Sequence, residues 1–73
     1  MKLGKYKHYK GKIYEVIGVG LDADSHEKVV VYRGLYDSVE FGNNPIWVKN
    51  ISGFLENVEW EGEVVPRFKY LEE

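Results

Sequence analysis

The chain of 73 residues contains no cysteine, which excludes disulfide bonds and any site built on a thiolate. Small secreted domains usually depend on disulfides, so their absence favours a reducing cytoplasm. The sequence also lacks an apolar run near the roughly 20 residues that a membrane span requires. Its first six residues are mostly polar and do not match the apolar centre of a signal peptide. These absences predict a soluble, cytoplasmic protein that does not bind membranes.

Side chains with catalytic or ligand-binding chemistry are scarce. Only His8 and His26 offer imidazole bases, and the serines lie in loop-like segments without a nucleophile elbow. Residues 22–27 begin like a calcium loop, but glycine is missing at the sixth position and Arg33 stands where the twelfth-position glutamate belongs. The two glycines of residues 18–20 precede no helix that could bind phosphate. We therefore predict no catalytic residue, no metal site and no cofactor, and treat an enzyme as the residual hypothesis.

Aromatic residues, in contrast, make up 15% of the sequence and include two tryptophans and six tyrosines. A domain of this length buries only about 60% of its unfolded surface, so large rings help its core to reach stability. The chain nevertheless has more tyrosine and tryptophan than so small a core needs. This excess predicts a surface on which aromatic side chains bind a partner.

Short apolar stretches separated by turn residues predict an all-β fold in a single domain, residues 1–73. Gly18 interrupts the alternation of the first clear strand, which predicts a bulge or bend there. Asn50 begins a segment, residues 50–55, that fits one capped helical turn. We expect a small SH3-like barrel of about five strands with one short helical turn, or alternatively an OB-like barrel. The predicted strands are residues 12–19, 28–36, 46–49, 58–60 and 64–71, the last two forming a hairpin.

Four segments of the chain carry a resemblance to a known family. They are YKHYKGKIYEVIG (residues 6–18), VVYRGLY (30–36), WVK (47–49) and VPRF (65–68). In order and spacing they resemble a small bacterial family filed as domain of unknown function 1653. The resemblance covers nearly the whole chain and implies a small β-barrel of bacterial or phage origin, but no activity. The family usually has histidine at the position of Asp22 and Arg-Pro at the positions of Lys49 and Asn50.

Trp47 is the first candidate for a binding residue. Strict alternation predicts that Trp47 and Lys49 share one face of a strand while Ile46 and Val48 share the other. We expect the face with the lysine to be the outer one, so that Trp47 is either exposed to a partner or covered by the loop of residues 37–45. Trp60, in contrast, is predicted to lie in the core.

The N-terminal segment is the second candidate, because lysine and aromatic residues alternate along it. Such a segment can bind nucleic acid, because lysines attract the phosphates and aromatic rings stack on the bases. The same alternation is typical of an amphipathic edge strand. The formal net charge of the chain is -2, which argues against general attraction to nucleic acid. Since glutamates are concentrated in the last third of the chain, we predict that the N-terminal lysines pair with the acidic C-terminal hairpin.

The leading hypothesis from the sequence is a non-catalytic binding module with a Tyr/Trp surface patch. Its partner would be a protein segment or a second copy of the chain in a homodimer. The alternative is weak nucleic-acid or nucleotide binding by the N-terminal Lys/Tyr segment. The residues predicted to bind are Tyr6, Tyr9, Tyr32, Tyr36, Trp47, Lys5, Lys7 and Lys10.

Overall fold

Most of the 73 residues described by the computed structural model lie in β-strands. Along the chain the elements are β1 (Gly4–His8), β2 (Ile13–Leu21), β3 (Lys28–Gly34), β4 (Asp37–Ser38), β5 (Gly42–Asn43), β6 (Ile46–Asn50), α1 (Ile51–Phe54), β7 (Asn57–Trp60), β8 (Glu63–Pro66) and β9 (Phe68–Glu72). The single helix, α1, has four residues and is too short to cross a membrane. The prediction of an all-β fold with one helical turn is confirmed.

A five-stranded antiparallel sheet forms the body of the protein, in the order β6-β3-β2-β1-β9. The sheet is not a closed barrel, because its outer strands β6 and β9 do not pair with each other. Side chains bridge that gap instead. Phe54, which follows β6 in α1, stacks on Phe68 of β9 with 4.1 Å between ring centroids and 2° between planes. Aromatic packing therefore replaces the hydrogen-bonded closure that the sequence had led us to expect.

The hydrophobic core is small and strongly aromatic. Most of its rings meet edge to face, an arrangement that favours aromatic pairs beyond the area they bury. Phe54 and Val30 are almost completely inaccessible to solvent. The six buried side chains of the core are Tyr6, Val16, Val30, Tyr32, Phe54 and Phe68.

Gly18 lies at a β-bulge, as its break in the alternation predicted. The register between β2 and β3 shifts between Val16 and Gly18, so that Ile17 is the extra residue. A Cβ atom built at Gly18 meets nothing within 4 Å. The bulge therefore bends the strand without crowding this position.

The predicted strand of residues 64–71 is divided at Arg67. Its first part is β8, which pairs only with β7, and its second part is β9, which pairs with β1. The β7–β8 hairpin consequently extends from the main sheet, and the ring of Trp60 packs edge to face on Tyr9. Trp60 is 40% exposed, so its predicted location in the core is wrong.

The first and last strands of the sheet, β1 and β9, are neighbours. The predicted pairing of the N-terminal lysines with the acidic hairpin does not form, because no ion pair of the structure contains a lysine. The two ion pairs of the structure lie elsewhere, between Arg33 and Glu15 and between Arg67 and Glu56.

Candidate functional site

A pocket of about 200 Å³ opens on the face of the sheet that contains the core. Strand register explains its composition, because Tyr32 of β3 lies opposite Trp47 of β6 and His8 of β1 lies opposite Phe68 of β9. We call it the basic–aromatic pocket. It is lined by His8, Tyr14, Tyr32, Trp47, Lys49, Arg67 and Phe68.

The Tyr36 hydroxyl joins two of the pocket's aromatic walls. It accepts a hydrogen bond from Trp47 Nε1 at 3.1 Å and lies 3.1 Å from the Tyr14 hydroxyl. Gly34 makes this possible, since a Cβ atom there would stand 2.6 Å from the Tyr36 ring. Burial, and then the hydrogen bond with Tyr36, raise the pKa of Tyr14. The three hydroxyl and indole groups thus hold one another in fixed orientations.

Trp47 is half-buried and contributes one wall of the pocket. The edge-to-face contact of Phe41, from the loop of residues 37–45, covers another side of its ring at 5.1 Å. Trp47 and Lys49 share a face as predicted, but it is the inner face of the sheet, while Val48 on the other face is 62% exposed. The prediction of an outer face was wrong because the pairing with β3 sets Trp47 opposite Tyr32, a core residue.

Lys49 extends from β6 across the helical turn of α1. A Cβ atom at Gly53 would lie 3.2 Å from Lys49 Cε, so the glycine provides space for the lysine side chain. Asn50 fixes the start of the turn, because its side-chain oxygen accepts a hydrogen bond from the Ser52 N–H at 2.9 Å. The predicted capped turn is therefore confirmed. It packs against the side chain of Lys49, which lines the pocket.

Arg67 connects the hairpin to the main sheet and is held by its backbone. Its N–H donates to the Glu56 carbonyl at 2.9 Å, and its carbonyl accepts from the Tyr9 N–H at 3.0 Å. The guanidinium contacts the exposed Glu56 carboxylate through Nη2 at 3.5 Å. Arg67 Nε is buried without a hydrogen-bond partner. Apart from the Nη2 contact with Glu56, the side chain of Arg67 makes no hydrogen bond within the protein.

His8 lies in an environment that disfavours its protonated form. Burial lowers its pKa, and the positive charges of Arg67, Lys10 and Lys49 lower it further. Its Nδ1 accepts a hydrogen bond from the Lys10 N–H at 3.1 Å, which assigns the proton of the neutral ring to Nε2. At neutral pH His8 therefore lines the pocket without adding a third charge.

The structure brings together three of the residues predicted to bind. Tyr32 and Trp47 line the pocket and Tyr36 adjoins it. Tyr6 is a core residue whose hydroxyl donates to the Lys2 carbonyl at 2.6 Å. Tyr9 lies in a different groove, against Trp60.

The lysines predicted to bind do not reach the pocket. Lys5 and Lys7 are exposed and alternate along β1 with Tyr6 and His8, so they point away from the core. Lys10 is exposed in the turn after β1, with Nζ 5.8 Å from the Tyr9 ring centroid. A binding role for these lysines stays a prediction.

Besides Phe68, sequence reasoning missed the four residues with polar side chains that line the pocket: His8, Tyr14, Lys49 and Arg67. Three of them have a readable signal, because alternation puts His8 with Tyr6, Tyr14 with Val16 and Lys49 with Trp47 on shared faces. Arg67 has no such signal. It reaches the pocket only because the chain leaves the hairpin there and enters β9.

The loop between β2 and β3 has the geometry of a hydrogen-bonded turn. The Asp22 carboxylate accepts the N–H groups of Asp24 and Ser25, both at 2.9 Å, and these bonds lower its pKa. No group of three or more histidine and acidic side chains in the structure has the arrangement of a metal site.

Comparison with known proteins identifies the family. The family model described as "Protein of unknown function (DUF1653)" matches residues 4–70. The crystal structure of a DUF1653 protein from Bordetella bronchiseptica superimposes with a TM-score of 0.88 at 31% sequence identity. That alignment covers 97% of this chain and 87% of the other. Among the curated proteins none matches. The chain belongs to the DUF1653 family.

Proposed function

We propose that this protein is a non-catalytic binding module that receives a protein segment and holds an acidic side chain of that segment in the basic–aromatic pocket. The observation that carries the proposal is the meeting of Lys49 and Arg67 at one aromatic-walled pocket. Lys49 has no ion pair, and the single acidic contact of Arg67 is the exposed Glu56 at 3.5 Å. An acidic group from a partner would supply the missing counter-charge.

Arg67 gives the strongest reason for an oxygen ligand. A buried N–H without an acceptor costs about 1–3 kcal/mol, and Arg67 Nε is such a group. A carboxylate can accept two parallel N–H bonds from a guanidinium, which provides both energy and orientation. The rings of Tyr32 and Trp47 exclude water from one side of the pocket, so these charged bonds would be stronger than in bulk solvent.

The size of the pocket favours one side chain over a whole small molecule. Sites for drug-sized ligands usually measure about 300–1,000 Å³, whereas this pocket holds about 200 Å³. An aspartate or glutamate side chain fits such a space. A complete nucleotide would remain largely outside it.

The neighbouring strand favours a protein as the source of that side chain. β6 contains Trp47 and Lys49 and is an outer strand of the sheet, so its other edge has no strand partner. An extended segment can add to such an edge through main-chain hydrogen bonds while its alternate side chains enter pockets. The setting that we propose is the bacterial cytoplasm, which the absence of cysteine favours.

A peptide titration followed by NMR tests this function. The ¹⁵N-labelled protein is titrated at low salt with a pool of extended hexapeptides that have a central glutamate, and with a matched pool that has glutamine instead. We expect the glutamate pool to shift the Trp47 indole and Arg67 Nε signals. Equal shifts with the glutamine pool would contradict recognition of an acidic group.

Substitutions of the two pocket cations, compared with control substitutions, test which residues contribute to binding. Lys49→Gln and Arg67→Gln each remove one pocket cation, and we expect each to weaken binding about tenfold or more. Lys28→Gln and Arg33→Gln serve as matched controls, since neither residue lines the pocket. Equal losses in controls and pocket variants would show that only general charge attraction is at work.

Nucleic-acid binding by the N-terminal segment is the second candidate. Lys10 and Lys12 lie over the rings of Tyr9 and Tyr36, with Nζ 5.8 and 4.3 Å from the ring centroids. Such pairs of cation and ring can contact phosphates and bases. A labelled single strand is titrated at low salt, where this hypothesis requires weak and strongly salt-dependent binding. No binding at tens of micromolar, about the range of non-specific affinity, would eliminate it.

A further inference from the structure

The β7–β8 hairpin lacks the support that a two-stranded sheet normally needs. It pairs with no third strand, and hairpins that stand alone are only marginally stable in water. Its exposed apolar side chains include Val64, which is 72% exposed, and Trp60 at 40%. Further packing against another surface would stabilise it.

A second cavity lies between this hairpin and the main sheet. It has a volume of about 360 Å³ and a mainly apolar surface. We call it the hairpin groove. The aromatic pair of Tyr9 and Trp60 forms one part of it, with ring centroids 5.2 Å apart. The groove is lined by Lys7, His8, Tyr9, Trp60, Val65, Pro66 and Lys69.

Basic residues of the sheet line the hairpin groove, and the end of the nearby hairpin is acidic. Lys7 and Lys69 are direct register partners on β1 and β9, and neither belongs to an ion pair. Like charges directly opposite each other destabilise a sheet. On the hairpin, Glu63 is the register partner of Trp60, and Glu61 lies in the adjoining turn. One chain therefore presents two unpaired cations and an acidic hairpin end beside the same apolar groove.

We propose that the hairpin groove is the interface of a two-fold symmetric homodimer. The acidic end of each hairpin contacts Lys7 and Lys69 of the other copy, and the Trp60 rings pack in the groove. The arrangement is self-complementary, as a two-fold interface requires. A foreign acidic partner would satisfy the lysines but would leave the glutamates repelled, which favours a second copy. This interface leaves Trp47, Lys49 and Arg67 free, since none of them lines the groove.

Sedimentation equilibrium over a range of concentrations measures the association. We expect the mass to rise from the 8.5 kDa of one chain toward twice that value at low salt. High salt should weaken the dimer about tenfold, because its ion pairs lie at the rim. A protein that stays monomeric at millimolar concentration and low salt would overturn the proposal.

A charge swap identifies the contacts. Lys69→Glu and Glu63→Lys each set like charges against each other, so each is expected to raise the dimer dissociation constant about tenfold or more. An equal mixture of the two variants restores both contacts and should form a heterodimer. Lys28→Glu, away from the groove, is the control, and circular dichroism verifies that every variant is folded. Dissociation constants that the charge reversals leave unchanged would overturn the proposed interface. So would a mixture of the two variants that forms no heterodimer.

Discussion

The Tyr36 hydroxyl is the common hydrogen-bond partner of two other side chains. Trp47 Nε1 donates to it and Tyr14 shares a hydrogen bond with it. All three residues border the basic–aromatic pocket. The shape of the pocket therefore depends on a single hydroxyl oxygen.

Removal of that oxygen gives the first prediction. In Tyr36→Phe, Trp47 Nε1 and the Tyr14 hydroxyl lose their partner, and we expect the free energy of unfolding to fall by about 1–2 kcal/mol. Urea denaturation measures the change. Tyr9→Phe is the control, since the Tyr9 hydroxyl makes no hydrogen bond within the protein, and it should stay within about 0.5 kcal/mol of the parent. Equal effects of the two variants would contradict the role of Tyr36.

His8 gives a prediction about pH. Burial and the charges of Arg67, Lys10 and Lys49 lower its pKa below the ordinary 6.5. The unfolded chain therefore binds the proton more readily, and the contribution of neutral His8 to stability is present above about pH 6.5 and lost as the pH falls below it.

Denaturation curves from pH 8 to pH 5 test whether stability falls with pH in this way. We expect His8→Gln to lose less stability on acidification than the parent protein does. His26→Asn is the control, because His26 is exposed and has a positive φ of 62° that asparagine tolerates. A parent protein that becomes more stable as the pH falls through 6 would contradict the assignment.

Among the elements of the sheet, two glycines in neighbouring strands have different roles. Gly4 begins β1 with φ +118°, and a Cβ atom there would lie 2.5 Å from the Glu72 carbonyl oxygen. Gly18 lies at the bulge of β2 in open space. A side chain at Gly18 would therefore meet no crowding.

Alanine substitutions distinguish the two positions. Gly4→Ala should lower the free energy of unfolding by about 1–3 kcal/mol, because it combines a disfavoured φ with a backbone clash. Gly18→Ala should leave stability unchanged or raise it by about 0.5–1 kcal/mol, the usual cost of glycine in a strand. Thermal melts of both variants measure the effects. A larger loss at Gly18 than at Gly4 would contradict this assignment.

The elements also show what could be predicted from the sequence. β2, β3 and the turn capped by Asn50 have strong local signals in β-branched runs and a capping residue, and they were predicted within a few residues. The inner face of β6 was misassigned, because alternation shows that Trp47 and Lys49 share a face but not which face meets the core. That choice depends on pairing with Tyr32, and the position of Arg67 depends on the separation of β8 from β9. Both are long-range contacts without a local signal.

For the whole molecule, we expect the β7–β8 hairpin to unfold locally at a lower free energy than the main sheet. The β2–β3 pair lies inside the sheet, whereas β7 and β8 pair only with each other. Segments with few buried contacts open at a lower free energy than the global one.

Hydrogen exchange at low protein concentration tests this expectation. Amides of β7 and β8 should exchange much faster than those of β3, at rates that reflect local opening. Amides of β1 provide an internal comparison, because β1 has a strand on both sides. Protection of the hairpin equal to that of β3 would show that it belongs to the same cooperative unit.

The adjacency of β1 and β9 determines how this fold can be joined to other polypeptides. Lys5 is the register partner of Glu72, so the start of β1 and the end of β9 lie side by side. A polypeptide entering before β1 would emerge beside one leaving after β9. The fold is thus suited to insertion within a surface loop of a host protein, where the two junctions must be close together. It is equally suited to circular permutation, with a short linker across these ends and new ends in the exposed loop of residues 22–27.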